Sequence, residues 1–127
     1  MDNSFSDTEV LYRAVYPPEM NRMFWKDENH VSSAAFLDKK GLSVERGNFR
    51  AEETVVADMK KFFIGRIVSL SVKLCREVKA IVLYKPTKRS IYHTEIHGDE
   101  KAPLLSPSQR RFLALNCKIL NLSLSNN

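Results

Sequence analysis

A chain of 127 residues, 43% hydrophobic and 28% charged, has the length and apolar content of one domain around one core. Four glycines, five prolines and two cysteines exclude collagen-like, disordered and disulfide-scaffold classes, and no apolar run approaches the ~20 residues needed to cross a hydrocarbon core. The net charge of +5 is unevenly spread, with seven Lys/Arg against eleven Asp/Glu in residues 1–58 and thirteen against four in residues 59–127, which biases the second half toward polyanionic partners.

Residues 1–9 are polar and acidic and read as a frayed lead-in. They lack the basic start and apolar core of a secretory signal, so a cytoplasmic protein is expected, with Cys75 and Cys117 reduced. Val10–Tyr16 alternates β-favouring side chains up to Pro17-Pro18 and predicts the first strand. Pro18 can open a short helical turn over Glu19–Trp25, and a polar loop containing Ser32 and Ser33 leads to a short strand at Leu42–Glu45. Residues 51–63 place acids early and lysines late, with Val55, Val56, Met59, Phe62 and Phe63 on one side, and predict a helix closed by Gly65. Alternation over Ile67–Leu74 predicts a half-wet strand, Val78–Tyr84 a more apolar one, Lys85–Ser90 a basic turn, and Ile91–His97 a third strand ending at Gly98. Short connections between these three suggest a meander. Ser106-Pro107-Ser108-Gln109 carries capping chemistry for a helix over 107–121, whose arc of Phe112, Leu113, Leu115, Ile119 and Leu120 should pack on the sheet. The expected fold is α+β: residues 10–122 form a single domain, mainly an antiparallel twisted sheet with a central and a C-terminal helix, and residues 123–127 a disordered tail.

Polar residues inside these elements are the candidates for chemistry. His93, Glu95 and His97 share one strand face, so Glu95 could orient an imidazole for acid–base work, or all three could simply face water. The two histidines would stand about 13 Å apart on an extended strand, too far to share a zinc ion, and no metal site is expected. Arg13, inside an apolar strand, either snorkels to the sheet edge or clamps an anion through its fork. Lys85, Lys88, Arg89, Arg110 and Arg111 are the candidate polyanion contacts. Glycines at 41, 47, 65 and 98 are too scattered for a phosphate loop, and no Gly-x-Ser-x-Gly frame occurs.

The order Leu11-Tyr12-Arg13-Ala14-Val15, Ser33-Ala34-Ala35-Phe36, Leu42-Ser43-Val44 and His93-Thr94-Glu95-Ile96 resembles a set of small prokaryotic proteins without an assigned activity, over residues 10–98. That resemblance implies shared architecture and singles out Arg13, Ser33, Ser43 and His93 as a set that would form one site if the fold gathers them. A looser resemblance runs to compact ADP-ribosyltransferases, which carry an arginine or histidine on the first strand, a serine motif and a late glutamate. It would assign those roles to Arg13, Ser33 and Glu95, with NAD as cofactor, although Arg13 and Ser33 are only twenty positions apart. The expected function is a small basic interaction module: a non-catalytic subunit or accessory protein of a multi-gene prokaryotic system of toxin–antitoxin or phage-defence type. It would bind a protein or nucleic-acid partner, without a membrane and without a cofactor. The alternative is an NAD-consuming or nucleic-acid-processing enzyme.

Overall fold

The computed structural model describes residues 1–120, so the tail expected at 123–127 lies outside the described residues. The fold is α+β, built on a six-stranded, wholly antiparallel sheet. In chain order the elements are β1 (Val10–Val15), β2 (Trp25–Asp27), β3 (His30–Val31), β4 (Leu42–Arg46), α1 (Glu52–Lys60), β5 (Arg66–Ser71), α2 (Val72–Glu77), β6 (Ile81–Tyr84), β7 (His93–His97), α3 (Pro107–Asn116) and β8 (Lys118–Ile119). The strand order is β6-β7-β4-β1-β5-β8, and β2 and β3 form a separate two-stranded ribbon. This is not a meander. Of the neighbours in the large sheet only β6 and β7 follow one another in sequence as strands, and β1 lies between β4 and β5.

Alternation along the strands separates two faces. The first carries Leu11, Val15, Leu42, Val44, Val68, Leu70 and Ile96, packed with Phe36 from the 3-10 turn Ser33–Phe36 and with Leu113 of α3. On the second, Tyr12 and Ile67 meet Val55, Val56 and Met59 of α1. The helix therefore covers β1 and β5 on this face.

Several boundaries differ from those the pattern suggests, each for a local reason. The strand expected over Ile67–Leu74 stops at Ser71, whose side chain accepts a hydrogen bond from Leu74 N at 3.2 Å and so caps α2. Lys79, at φ 60, turns the chain out of that helix, and β6 starts only at Ile81. The strand expected from Ile91 begins at His93. The C-terminal helix begins as expected, with Ser106 and Gln109 forming a capping box and Pro107 in the first turn. It ends at Asn116 rather than 121, because Cys117 is extended and delivers Lys118 and Ile119 to pair with Ser69 and Val68 of β5. The turn expected over Glu19–Trp25 shrinks to a 3-10 turn at Arg22–Phe24, and Trp25 opens β2.

The N-terminal lead-in is docked rather than frayed. Arg46, 2% exposed, donates to both carboxylate oxygens of Glu9 at 2.7 and 2.8 Å and to the carbonyls of Asp2 and Ser4 at 2.8 and 3.0 Å. Its guanidinium also stacks 4.0 Å from the Phe5 ring, and Phe5 is buried. An enclosed charge with this many donors needs acceptors, and residues 2–9 supply them.

Candidate functional site

A cavity of about 760 Å³ opens on the second face where α1 leaves β4 and β7 uncovered. Ser43, Glu45 and His93 line it from the sheet, Met59, Lys61, Phe62 and Phe63 from the end of α1, and Lys88, Arg89 and Ile91 from the loop joining β6 to β7. The register explains the polar grouping: Ser43 pairs with Glu95 and Glu45 with His93 across β4 and β7, so all four side chains share this face.

His93 is held at both ring nitrogens. Nδ1 lies 2.8 Å from the Lys85 carbonyl oxygen, and Nε2 lies 3.2 Å from Ser43 Oγ. A carbonyl can only accept, so Nδ1 carries the hydrogen, and in the neutral ring Nε2 accepts the Ser43 hydroxyl proton. Beside them Ser90 donates to Glu45 Oε1 at 2.9 Å, and Arg50 reaches Glu45 Oε2 at 3.4 Å and Asp58 Oδ2 at 3.2 Å. Arg50 also stacks 3.4 Å from the Tyr92 ring. This network ties the basic loop to β4 and to α1, so the cavity wall is anchored at its base. Tyr12, at the inner end, has its phenol pushed up to about 12 by burial and by Glu52, whose carboxylate accepts from it at 3.3 Å.

The aromatic wall comes from where α1 stops. Phe62 and Phe63, expected on the buried side of a longer helix, follow its last turn and are 58% and 39% exposed. The chain then needs Gly65, at φ +128, because a Cβ there would stand 2.2 Å from the Val15 carbonyl oxygen. Arg89 lies 5.8 Å from the Phe63 ring, bringing a cation to the aromatic wall.

The structure divides the set Arg13, Ser33, Ser43 and His93. Ser43 and His93 meet. The Arg13 side chain shares the first face with Leu11 and Val15, donating from Nε to the Ala35 carbonyl at 2.8 Å and from Nη1 to the Ser43 carbonyl at 2.9 Å. Burial lowers its guanidinium to about 10, Asp38 opposing, which leaves it charged at neutral pH. Ser33 lies in the 3-10 turn that receives Arg13, outside the cavity. Glu95 stays on the second face, 2.8 Å from His97 Nε2, so Arg13, Ser33 and Glu95 do not converge.

The basic candidates divide as well. Lys88 and Arg89 line the cavity, and Lys85 contributes the carbonyl that holds His93. Arg110 and Arg111 sit on α3, which packs on the 3-10 turn Ser33–Phe36 across the sheet. Phe62, Phe63 and Tyr92 are lining residues that carry no functional signal in the hydrophobic pattern, whereas Lys61 belongs to the basic second half of the chain. The juxtaposition Lys61-Phe62-Phe63 just after a helix of acidic start was the available signal. Both cysteines are free, and burial pushes Cys75 up to about 12 and Cys117 to about 11. Among the described residues no group of three or more His, Cys, Asp or Glu side chains is placed to hold a metal ion, and no helix is long and apolar enough to cross a membrane. No family model, curated protein or solved structure matches the chain.

Proposed function

We propose that this protein is a small basic interaction module whose cavity takes a segment of single-stranded nucleic acid. The observation that carries the reading is the pairing of exposed Phe62 and Phe63 with Lys61, Lys88 and Arg89 around one hollow. Single-strand sites combine these two ingredients: aromatic faces on which bases stack, and cations that follow the phosphates. The volume suits one or two nucleotides, being within the range of small-ligand pockets. A duplex would not present its bases to Phe62 and Phe63, so the wall favours an unpaired strand. Within a multi-gene prokaryotic system the module would act as the subunit that holds the strand.

Fluorescence anisotropy with a labelled mixed-sequence oligonucleotide tests this. Neutralising three phosphates gives a log–log salt slope near −2, so affinity should fall about 20-fold between ~50 and ~200 mM salt. Unpaired strands should bind more tightly than the same sequence as a duplex. Undetectable or salt-indifferent binding would reject the reading and leave a protein as the partner of this face.

A further inference from the structure

Binding leaves the floor of the cavity unused, and there the geometry points to a reactive centre: we propose that Ser43 is a nucleophile toward phosphate esters, with His93 as its general base. This goes beyond the interaction-module reading, and it rests on that reading for the identity of the strand as substrate.

Lys85 C=O fixes the proton on His93 Nδ1, which leaves the Nε2 lone pair 3.2 Å from Ser43 Oγ. A nucleophile, a base within reach of its proton, and a third group orienting the base form the pattern of activated serine. Here the backbone carbonyl of Lys85, the residue after β6, takes the orienting place, and the β6–β7 pairing fixes it, since Lys85 N donates back to the His93 carbonyl at 3.0 Å. Ser43 is exposed and lines the cavity, so a bound ester can reach it. The substrate class follows from the surroundings. Lys61, Lys88 and Arg89 line the same hollow and would bind the charge that phosphoryl oxygens carry before reaction begins, whereas an acyl ester arrives neutral and gains such a charge only in its transition state.

The reaction balances with water as the only co-reactant. Ser43 Oγ attacks phosphorus as its proton passes to His93 Nε2. The bond from phosphorus to the leaving oxygen breaks, and that oxygen takes the proton and departs as an alcohol. Water then attacks the phosphoserine, giving its proton to Nε2. The P–Oγ bond breaks, the proton returns to Oγ, and a phosphate monoester is released.

The test is labelling with an alkyl fluorophosphonate, in which Oγ replaces fluoride on phosphorus, followed by intact mass and peptide mapping. A single adduct on Ser43 is expected, absent in Ser43→Ala and formed at least about 100-fold more slowly in His93→Gln, matching the loss of a general base. Each variant is first checked for an unchanged circular dichroism spectrum. No adduct, an adduct elsewhere, or a rate indifferent to His93→Gln would overturn the proposal. Bis-(p-nitrophenyl) phosphate and p-nitrophenyl acetate decide the class: hydrolysis of the first is expected, and turnover of the acetate alone would overturn the phosphoryl assignment. Oligonucleotide binding by the wild-type chain, read by anisotropy on the same preparation, is scored apart from the labelling, so failure of the chemistry is separable from failure of binding.

Discussion

On the first face of the sheet, Arg13 and Arg46 are surrounded by carbonyl oxygens and by Glu9, and their donors are spent on the protein's own carbonyls and on the Glu9 carboxylate. On the second, Lys88 and Arg89 stand exposed around a hollow whose floor is Ser43 and His93. All four side chains are cations, and the physical role is opposite. A buried guanidinium holds segments together because leaving it unpaired is costly, whereas an exposed one keeps its charge available to a ligand. A cation inside a core-like motif is thus first a device for fastening loops, and ligand chemistry is better sought where one sheet face lacks its covering helix.

Substitutions on the closed face should therefore cost stability, and substitutions on the open face should cost binding. The largest effect is expected at Arg46. Truncating it to Ala leaves Glu9 enclosed and releases residues 2–9, at about 3–5 kcal/mol and a fall of about 10–20 °C in Tm. Glu9→Gln should move Tm in the same direction by a smaller amount. Next is Arg13→Ala, which strips the Ala35 and Ser43 carbonyls of their donor and should cost about 1–3 kcal/mol with oligonucleotide affinity retained in the folded fraction. If Arg13→Ala instead abolished binding with Tm unmoved, the guanidinium would belong to the site and the comparison between the faces would fail.

The open face predicts the reverse pattern. The double substitution Lys88→Glu and Arg89→Glu should leave stability within about 0.5 kcal/mol while removing most of the salt-dependent binding. Phe62→Ala should weaken binding by about 1–3 kcal/mol for one lost stacking partner, with little change in Tm because that ring is already 58% exposed. Loss of stability without loss of affinity would mean that the aromatic wall is packing alone.

A separate, global effect concerns alkaline pH. The Cys75 thiol and the Tyr12 phenol are both held neutral in the fold, raised from 9.0 and 10.0 respectively to about 12. Above pH 9 the unfolded chain thus binds fewer protons than the native one, and stability must fall as pH rises from about 9 to 12. Thermal melts across that range should show the decline, and Cys75→Ala should flatten its first part. An undiminished Tm at pH 11 would contradict the assigned burial.

What the sequence made legible follows from how local each signal is. The capping box at Ser106 and Gln109, the β1 alternation and the dipole-matched start of α1 are decided by neighbours a few positions apart, and they appear where expected. Ser71 misled because alternation runs through it unbroken, while a single side-chain hydrogen bond to Leu74 N ends the strand. The early stop of α3 was hidden for another reason: the free edge of β5, with which Lys118 and Ile119 pair, is a feature of the assembled sheet. The site divides along the same line. Ser43 and His93 stood out as polar positions in core-like motifs, but which of the four would meet depended on register, since one step along β1 or β4 changes the face. Spacing puts Phe62 and Phe63 on one side with Val55, Val56 and Met59, because the hydrophobic period continues past the point where α1 ends.

Amide chemical-shift mapping on addition of an unpaired oligonucleotide distinguishes the uncovered half of the second face from every other surface as the place where the strand binds. The shifting resonances should be those of residues 43–45, 61–63 and 87–93, with α3 and the 3-10 turn at Ser33–Phe36 unmoved. Perturbations centred on Arg110, Arg111 and the Arg13 side of the sheet would contradict it.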